Sequence, residues 1–437
     1  MNIAILGTGE SGMGAAFLAH SLKMNCFVSD GGKIKEEDKK WLTNNKIPFE
    51  ETSHSLELIA EADLVIKSPG IPDHLPLIQN LKDRGCTIVS EIEFAVQHTQ
   101  AKIIAITGSN GKTTTTQLTY DILKNAGLFV GLGGNIGVSF ARQVAEKDFD
   151  YYVLELSSFQ LDGCYRFAPH IAAITNITPD HLDRYEYKME NYVASKFRIA
   201  QSQTANDFLI INANDKESHT FLSNHTLKTP HFTFSLNNNK SEAYIEKGKL
   251  IFKDWDFSLK EASLKGPHNA MNMMTAGLLA SALNISPKTI ADTFRNFNNI
   301  EHRLQNVATI NGVSYINDSK ATNVDAVQWA LQSFDQPIIW IVGGKDKGND
   351  YNILMPLVEQ NVKAIITLGL DNEALFNSFG YLKIPIVEVF SMKEAIDVSK
   401  FLSHKDDCVL LSPACASFDL FKNYIDRGNQ FVECVNE

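Results

Sequence analysis

The chain has 437 residues, 44% apolar and 21% charged, and its 40 basic and 51 acidic side chains give a formal net charge of −11. That length exceeds what one hydrophobic core serves, so two or three domains are expected; no apolar run approaches the ~18 residues of a membrane span, and Met1 runs at once into a strand-like NIAIL with no basic leader. The acidic balance argues against neutralising a nucleic-acid backbone, and six cysteines without CxxC spacing argue against a zinc site or a disulfide frame, so a cytoplasmic protein with reduced thiols is expected.

Residues 2–6 read as an apolar strand, followed by Gly7-Thr8-Gly9-Glu10-Ser11-Gly12, a helix-like GMGAAFLAHSLKM and a second strand, CFV, ending at Asp30. This is the βαβ pattern of dinucleotide sites, with an acidic residue after the second strand. By itself it fits equally a Rossmann-like domain that binds no dinucleotide. The Lys/Glu-rich stretch 33–40 reads as a solvated helix face. Further strands are predicted at 63–66, running into Ser68-Pro69-Gly70, and at 87–89, with an apolar helix starting at Ile92. An open parallel α/β domain accounts for all of these elements.

Residues 103–118, IIAITGSNGKTTTTQL, read as a buried strand, a glycine-bearing turn holding Lys112 and the start of a helix. Such a loop aims backbone N–H groups and a helix N-terminus at one point, where they can hold phosphate oxygens. Lys112 would add a charge there, and the Thr113 or Thr114 hydroxyl a Mg²⁺ ligand. The usual P-loop places another glycine five positions before Gly-Lys, where this chain has Ile106; the nearest upstream glycine is Gly108. The alternative is an ordinary strand-to-helix turn.

Two further strands end in polar clusters: 151–154 runs into Glu155-Leu156-Ser157-Ser158-Phe159-Gln160, and 171–174 into Thr175-Asn176-Ile177-Thr178-Pro179-Asp180-His181-Leu182-Asp183. A Glu and an Asp-His pair at strand ends beside a phosphate loop could organise Mg²⁺ and water. Gly133-Gly134-Asn135-Ile136-Gly137 looks too glycine-rich for a regular element, and Lys196, in the helix-like YVASKFRIA, reads on its own as a surface lysine. Residues 232–259 alternate apolar and polar around Lys247-Gly248-Lys249, which suggests a hairpin. Gly266-Pro267-His268-Asn269-Ala270-Met271-Asn272 opens an apolar helix on which Asn269 and Asn272 share a face.

A boundary is expected near Ile300, where Glu301-His302-Arg303 precedes a hairpin-like VATINGVSYIND and then Asp318-Ser319-Lys320-Ala321-Thr322-Asn323. Strands at 336–342, 364–368 and 409–412 complete a second α/β pattern, the first ending in Gly343-Gly344-Lys345-Asp346-Lys347-Gly348 and the last in Ala414-Cys415-Ala416-Ser417-Phe418-Asp419. Lysines and hydroxyls on strand-end loops suit an anionic group.

In order, TGSNGKTTT, ELSSFQL, NITPDHLDRY, the helix bearing Lys196, GPHNAMN, EHR, NDSKATN, GGKDKG and LSPACASFDLFKNY resemble the Mur ligase family over nearly the whole chain. The shortened TGxNGKT loop is the form that family uses. The resemblance implies three α/β domains: a Rossmann-like one over 1–92 for a UDP-linked substrate, a central P-loop ATPase over 93–298, and a C-terminal Rossmann-like one over 299–437 for the incoming amino acid. Within the family it points to the branch that joins D-glutamate to UDP-N-acetylmuramoyl-L-alanine, a peptidoglycan precursor.

What the resemblance implies for single residues is specific. Ser11, Gly12, Asp30, Gly31 and Gly70 would hold the UDP substrate, with Asp30 near the uracil, so NAD is not required. Asn135 and His181 would face the muramoyl part and its reacting carboxyl. Gly108, Asn110, Gly111, Lys112, Thr113, Thr114, Asn269, Arg303 and Asp318 would hold ATP, and Thr322, Lys347, Ser417 and Tyr424 would form the D-glutamate pocket. Thr113, Glu155, His181 and Lys196 would hold Mg²⁺, two ions being expected, with Lys196 carbamylated by CO₂; Lys112, His181 and Lys196 would be catalytic. The implied chemistry is amide formation through an acyl phosphate, by a monomer acting on small molecules.

Two rivals explain less. A folylpolyglutamate synthetase-like ligase shares the ATPase and last domains, but those chains begin almost at the phosphate loop, whereas about a hundred residues precede it here. An NAD-binding sensor or dehydrogenase would account for Gly7 to Asp30 and leave the Gly108 to Thr114 loop idle.

Overall fold

The structure, a computed structural model, describes every residue except Asn299 and Lys347. It contains three sheets, built largely from parallel strands that read as unbroken apolar runs because both of their faces are covered.

The first sheet comprises β1 (Asn2–Leu6), β2 (Asn25–Asp30), β3 (Phe49–Glu51), β4 (Leu64–Lys67) and β5 (Ile88–Val89), all parallel in the order β3-β2-β1-β4-β5. The order reverses between β1 and β4, so a crevice opens beyond their C-terminal ends. The second sheet comprises β6 (Lys102–Thr107), β7 (Val130–Gly134), β8 (Tyr151–Glu155), β9 (Ile171–Ile174), β10 (Phe208–Asn212), β11 (His231–Ser235), β12 (Ala243–Glu246), β13 (Lys249–Phe252) and β14 (Asp256–Ser258). Its order is β14-β13-β12-β11-β10-β9-β6-β8-β7, parallel from β7 through β12 and antiparallel for the last two. The phosphate-loop strand β6 therefore lies between β8 and β9, and the loops after all three emerge on one edge.

The hairpin expected around Lys247-Gly248-Lys249 is present as β12 and β13, continued antiparallel by β14, but it does not take in the whole of 232–259, because β11 runs parallel to both β10 and β12. One expectation is corrected. Gly133 and Gly134 belong to a regular strand, the edge strand β7, rather than to an irregular loop. The glycines serve close approach, since a Cβ on Gly134 would stand 2.2 Å from the Glu155 carbonyl oxygen.

The chain forms two compact units, residues 1–262 with 270–296, and residues 263–269 with 297–437. The first two sheets share the first unit because one apolar core runs through both, from Ile3 and Ala16 through Ile92 and Phe140 to Leu154 and Ile174. Each fully buried aliphatic side chain of this kind contributes about 1.5–3 kcal/mol of transfer free energy. Helix Glu10–Ser21 packs on helix Phe140–Glu146, and the buried Glu93 carboxylate accepts the backbone N–H groups of Tyr165, Arg166 and Phe167 at 2.9–3.1 Å.

The second unit carries the third sheet, β15 (Gln305–Ile310), β16 (Val313–Asn317), β17 (Ile338–Val342), β18 (Val362–Leu368), β19 (Ile386–Val389) and β20 (Cys408–Leu411), in the order β15-β16-β20-β17-β18-β19. Only β15 is antiparallel. It pairs with β16 through the expected hairpin, whose Asn311-Gly312 turn has positive φ at both residues, as a two-residue hairpin turn requires. The central strand β17, IIWIV, is buried at every residue. Among the described residues, no helix is long and apolar enough to cross a membrane.

Candidate active site

The phosphate loop leaves β6 at Thr107 and enters helix Lys112–Asn125 through Gly111, whose φ of +80° is the left-handed conformation that glycine adopts without a steric cost. Asn176 and Thr178, from the loop after β9, hold it in place: the Asn110 N–H donates to Asn176 Oδ1 at 2.9 Å, and Ser109 Oγ donates to the Thr178 carbonyl at 2.8 Å. Thr113 and Thr114 are buried in the first turn of the helix. Lys112 Nζ donates to the carbonyls of Gly108 and Ser109 at 2.9 and 2.8 Å, which keeps its ammonium over the loop.

Lys196 is not a surface lysine. It is 2% exposed, because helix Met189–Phe197 turns Tyr192, Val193, Ser195, Lys196 and Phe197 inward together. Ser195 pins that face by donating to Asp162 at 2.6 Å. Lys196 Nζ lies 4.5 Å from the centre of the Tyr192 ring, one helical turn earlier, and donates to the Gly108 carbonyl at 2.8 Å. Lys112 and Lys196 thus share one carbonyl oxygen. Burial, and then the charge of Lys112, hold the Lys196 amine well below the usual lysine range.

A cavity of about 330 Å³ collects five of the expected residues from five separate stretches: Gly70, Lys112, Asn135, His181 and Lys196. Pro69, Ser157, Ser158, Phe159, Asp180 and Tyr192 complete its lining. Glu155 is 1% exposed behind it, and Asn135 Nδ2 donates to its Oε1 at 2.8 Å. His181 has φ of +53°, an uncommon conformation for a non-glycine residue, and sits edge-on to Phe159 with Asp180 Oδ2 3.6 Å from its Nε2. Strained backbone of this sort gathers where geometry is functional.

A second cavity of about 470 Å³ lies in the crevice of the first sheet, lined by Gly7, Thr8, Gly9, Asp30, Gly31, Gly32, His54, Ser68, Ile71, Leu75, Pro76 and Leu77. Asp30 Oδ2 accepts from the Thr8 N–H and hydroxyl, both at 2.6 Å, and Oδ1 accepts from the Gly32 N–H at 2.7 Å. It therefore shapes the two loops that rim the cavity. Ser11 and Gly12 lie in the first turn of helix Glu10–Ser21 and do not line this cavity.

In the second unit, the loops after β16, β20 and β17 lie side by side. Asp318 is buried, accepts from Ser412 Oγ at 2.9 Å and from the Leu304 N–H at 3.2 Å, and is raised to about 7 chiefly by burial. Arg303 is close enough to oppose that shift, and Asn269 Nδ2 donates to the Lys265 carbonyl. Ser417 is buried and Thr322 half-buried on these loops, while Tyr424 opens helix Tyr424–Asn436, its carbonyl accepting from Ser319 Oγ and its ring 5.3 Å from Lys320 Nζ. Lys347, expected beside them, lies outside the described residues.

Sequence reasoning missed Arg427, which is buried and donates to Ser319 Oγ and to the carbonyls of Ser319, Gly343 and Cys415, one on each of the three loops. An arginine in the polar run YIDRGNQF reads as solvent-facing. The only hint is the adjacent Gly428, where a Cβ would come 2.2 Å from His302 Nδ1.

Comparison with known proteins agrees with this layout. The MurD N-terminal domain model matches residues 2–75, the Mur ligase middle domain 106–280, and the Mur ligase glutamate ligase domain 302–415. The UDP-N-acetylmuramoylalanine--D-glutamate ligase of Christiangramia forsetii is 50% identical over 438 residues, covering 99% of this chain and 98% of its own, and that of Bacteroides fragilis is 48% identical over 440 residues, covering 100% and 99%. Among solved structures, the UDP-N-acetylmuramate-alanine ligase of Thermotoga maritima shares the fold with a TM-score of 0.63 at 18% identity, covering 100% of this chain and 99% of its own. The MurF ligase of the same organism, in complex with ADP, gives 0.63 at 14% identity over 94% of each chain. With half of all positions identical along the whole length and three family domains in order, the chain belongs to the Mur ligase family.

Proposed function

We propose that the chain is an ATP-dependent ligase that joins D-glutamate to the alanyl carboxylate of UDP-N-acetylmuramoyl-L-alanine, acting as a cytoplasmic monomer in peptidoglycan precursor synthesis. The observation that carries this reading is the cavity where Lys112 and Lys196 meet on the Gly108 carbonyl beside His181, Asn135 and Gly70. A phosphate loop alone suits many ATPases; a second, buried lysine at its mouth, next to a substrate-sized space, suits phosphoryl transfer to a bound carboxylate.

A carboxylate is a poor electrophile, because attack by an amine would have to expel oxide. Transfer of the γ-phosphoryl group of ATP to the carboxylate oxygen gives an acyl phosphate and ADP. The neutral amine of D-glutamate then attacks the carbonyl carbon, the C–O bond to phosphate breaks, and the nitrogen loses a proton. Lys112 and the amides of 108–114 would stabilise charge on the transferring group, His181 and Asn135 would orient the carboxylate, and Asn269, Arg303 and Asp318 would hold the nucleotide. Thr322, Lys347, Ser417 and Tyr424 would take the two carboxylates of D-glutamate.

Among the described residues, no three His, Cys, Asp or Glu side chains form a metal-binding group. Thr113, Glu155, His181 and a carbamate on Lys196 would hold Mg²⁺ together with nucleotide phosphates. When bound, Mg²⁺ supplies hard positive charge against phosphate oxygens. The carbamate forms when the neutral Lys196 nitrogen attacks CO₂, making an N–C bond and releasing one proton. The depressed basicity of this buried amine supports that step.

Phosphate release should need ATP, UDP-N-acetylmuramoyl-L-alanine and D-glutamate together. Replacing D-glutamate with L-glutamate, D-aspartate or a diamino acid should cut turnover by about 100-fold or more, since a polar pocket left partly unpaired discriminates strongly. A faster rate with lysine or diaminopimelate would show that the acceptor is misassigned.

A further inference from the structure

The first-sheet cavity contains one polar side chain that neither the sequence nor the reaction accounts for. His54 lies between β3 and β4 and lines the cavity beside Gly31, where its Nε2 would stand 3.0 Å from a Cβ built on that glycine. Its ring is fixed from behind. Nδ1 is 2.6 Å from Ser29 Oγ, and Ser29, fully buried, is 2.7 Å from Glu50 Oε1. Glu50 is itself held by the Ser55 N–H and hydroxyl at 2.7 and 2.6 Å.

This chain sets the tautomer. The Glu50 carboxylate only accepts, so it takes the single Ser29 hydroxyl proton; the Ser29 oxygen then accepts from His54 Nδ1–H, which leaves Nε2 as a bare acceptor at the cavity wall. Asp30 is tied to its own loops, Oδ2 accepting twice from Thr8 and Oδ1 once from Gly32, and Ile71, Leu75 and Leu77 offer apolar surface to a ring. Uracil differs from cytosine at ring nitrogen three, where it carries a proton to donate.

We propose that His54 is a specificity-determining residue for the base, its Nε2 accepting the N3–H of the uracil while the apolar side chains pack on the ring. This rests on the reading of the first-sheet cavity as the UDP site. It adds His54 to the groups that read the base, beside Asp30, which also shapes the loops.

Binding of UDP and of N3-methyl-UDP to the intact protein, followed by calorimetry, tests it. The wild type should bind UDP about tenfold more tightly than the methylated compound, the scale of one hydrogen bond with its partner left unpaired. In His54→Ala that preference should vanish, with UDP weakened to the level of the analogue, and His54→Gln, which keeps an acceptor, should restore part of it. A merely structural role would weaken both compounds and leave their ratio intact, so an unchanged ratio in His54→Ala overturns the proposal, as does a wild type that does not distinguish the two. Failure of the underlying reading looks different: UDP would not bind the wild type at all, or Asp30→Ala would leave UDP binding unchanged.

Discussion

Lys196→Ala should lower turnover to a trace while the protein still folds, and a small carboxylate such as acetate at high concentration should restore part of the rate. Lys196 donates to the Gly108 carbonyl that Lys112 also uses, and two ammonium groups on one oxygen repel each other. Burial, and then the charge of Lys112, hold Lys196 well below the normal lysine range, so of the two it gives up its proton the more readily. On the proposed reading, CO₂ adds to the amine in its neutral form and gives the site an anionic carbamate. Acetate can occupy the space left by alanine and supply the same kind of oxygen. Rates of the variant measured against acetate concentration check this, with a loss of about 1000-fold expected before rescue, the upper range for removing a group that acts on transition-state charge. Full activity of Lys196→Ala would exclude the carbamate.

Lys112→Ala should abolish turnover by a comparable route and should not respond to acetate. Lys112 is half-buried and donates to two carbonyls of its own loop, so the folded state should lose only about 1–2 kcal/mol. The catalytic loss should reach about 100- to 1000-fold, because on the proposed reading this ammonium would be the positive charge the loop brings to the transferring phosphoryl group. Thermal unfolding together with steady-state kinetics separates the two effects. Cutting the rate without lowering the melting temperature by more than a few degrees is the expected pattern. Retained ligation would remove Lys112 from the phosphate-loop role.

What could be read from the sequence follows the physics of each element. Parallel strands such as β6 and β17 are legible because burial on both faces makes them continuous apolar runs between turn residues. The phosphate loop is legible because its glycines and Gly-Lys-Thr pattern reflect local backbone geometry. Side chains whose meaning depends on packing are not. Lys196 reads as solvent-facing until the helix is seen with its tyrosine face inward, and Arg427 reads as surface until three loops close around it. His54 carries no motif; its role emerges only when Ser29 and Glu50, 25 and 4 residues away, are brought behind it. The shared core of the first two sheets is likewise invisible in a chain read as successive segments, because helix Glu10–Ser21 and helix Phe140–Glu146 are more than a hundred residues apart.

The central claim is that an oxygen of the substrate carboxylate becomes covalently bound to phosphorus before the amide forms. UDP-N-acetylmuramoyl-L-alanine with a heavy-oxygen label in its terminal carboxylate, turned over with ATP and D-glutamate, tests this directly by mass analysis of the released inorganic phosphate. The reaction described here predicts that each phosphate carries one labelled oxygen, with the other retained in the new amide carbonyl. Phosphate free of label, in a reaction that still forms the amide, would contradict it.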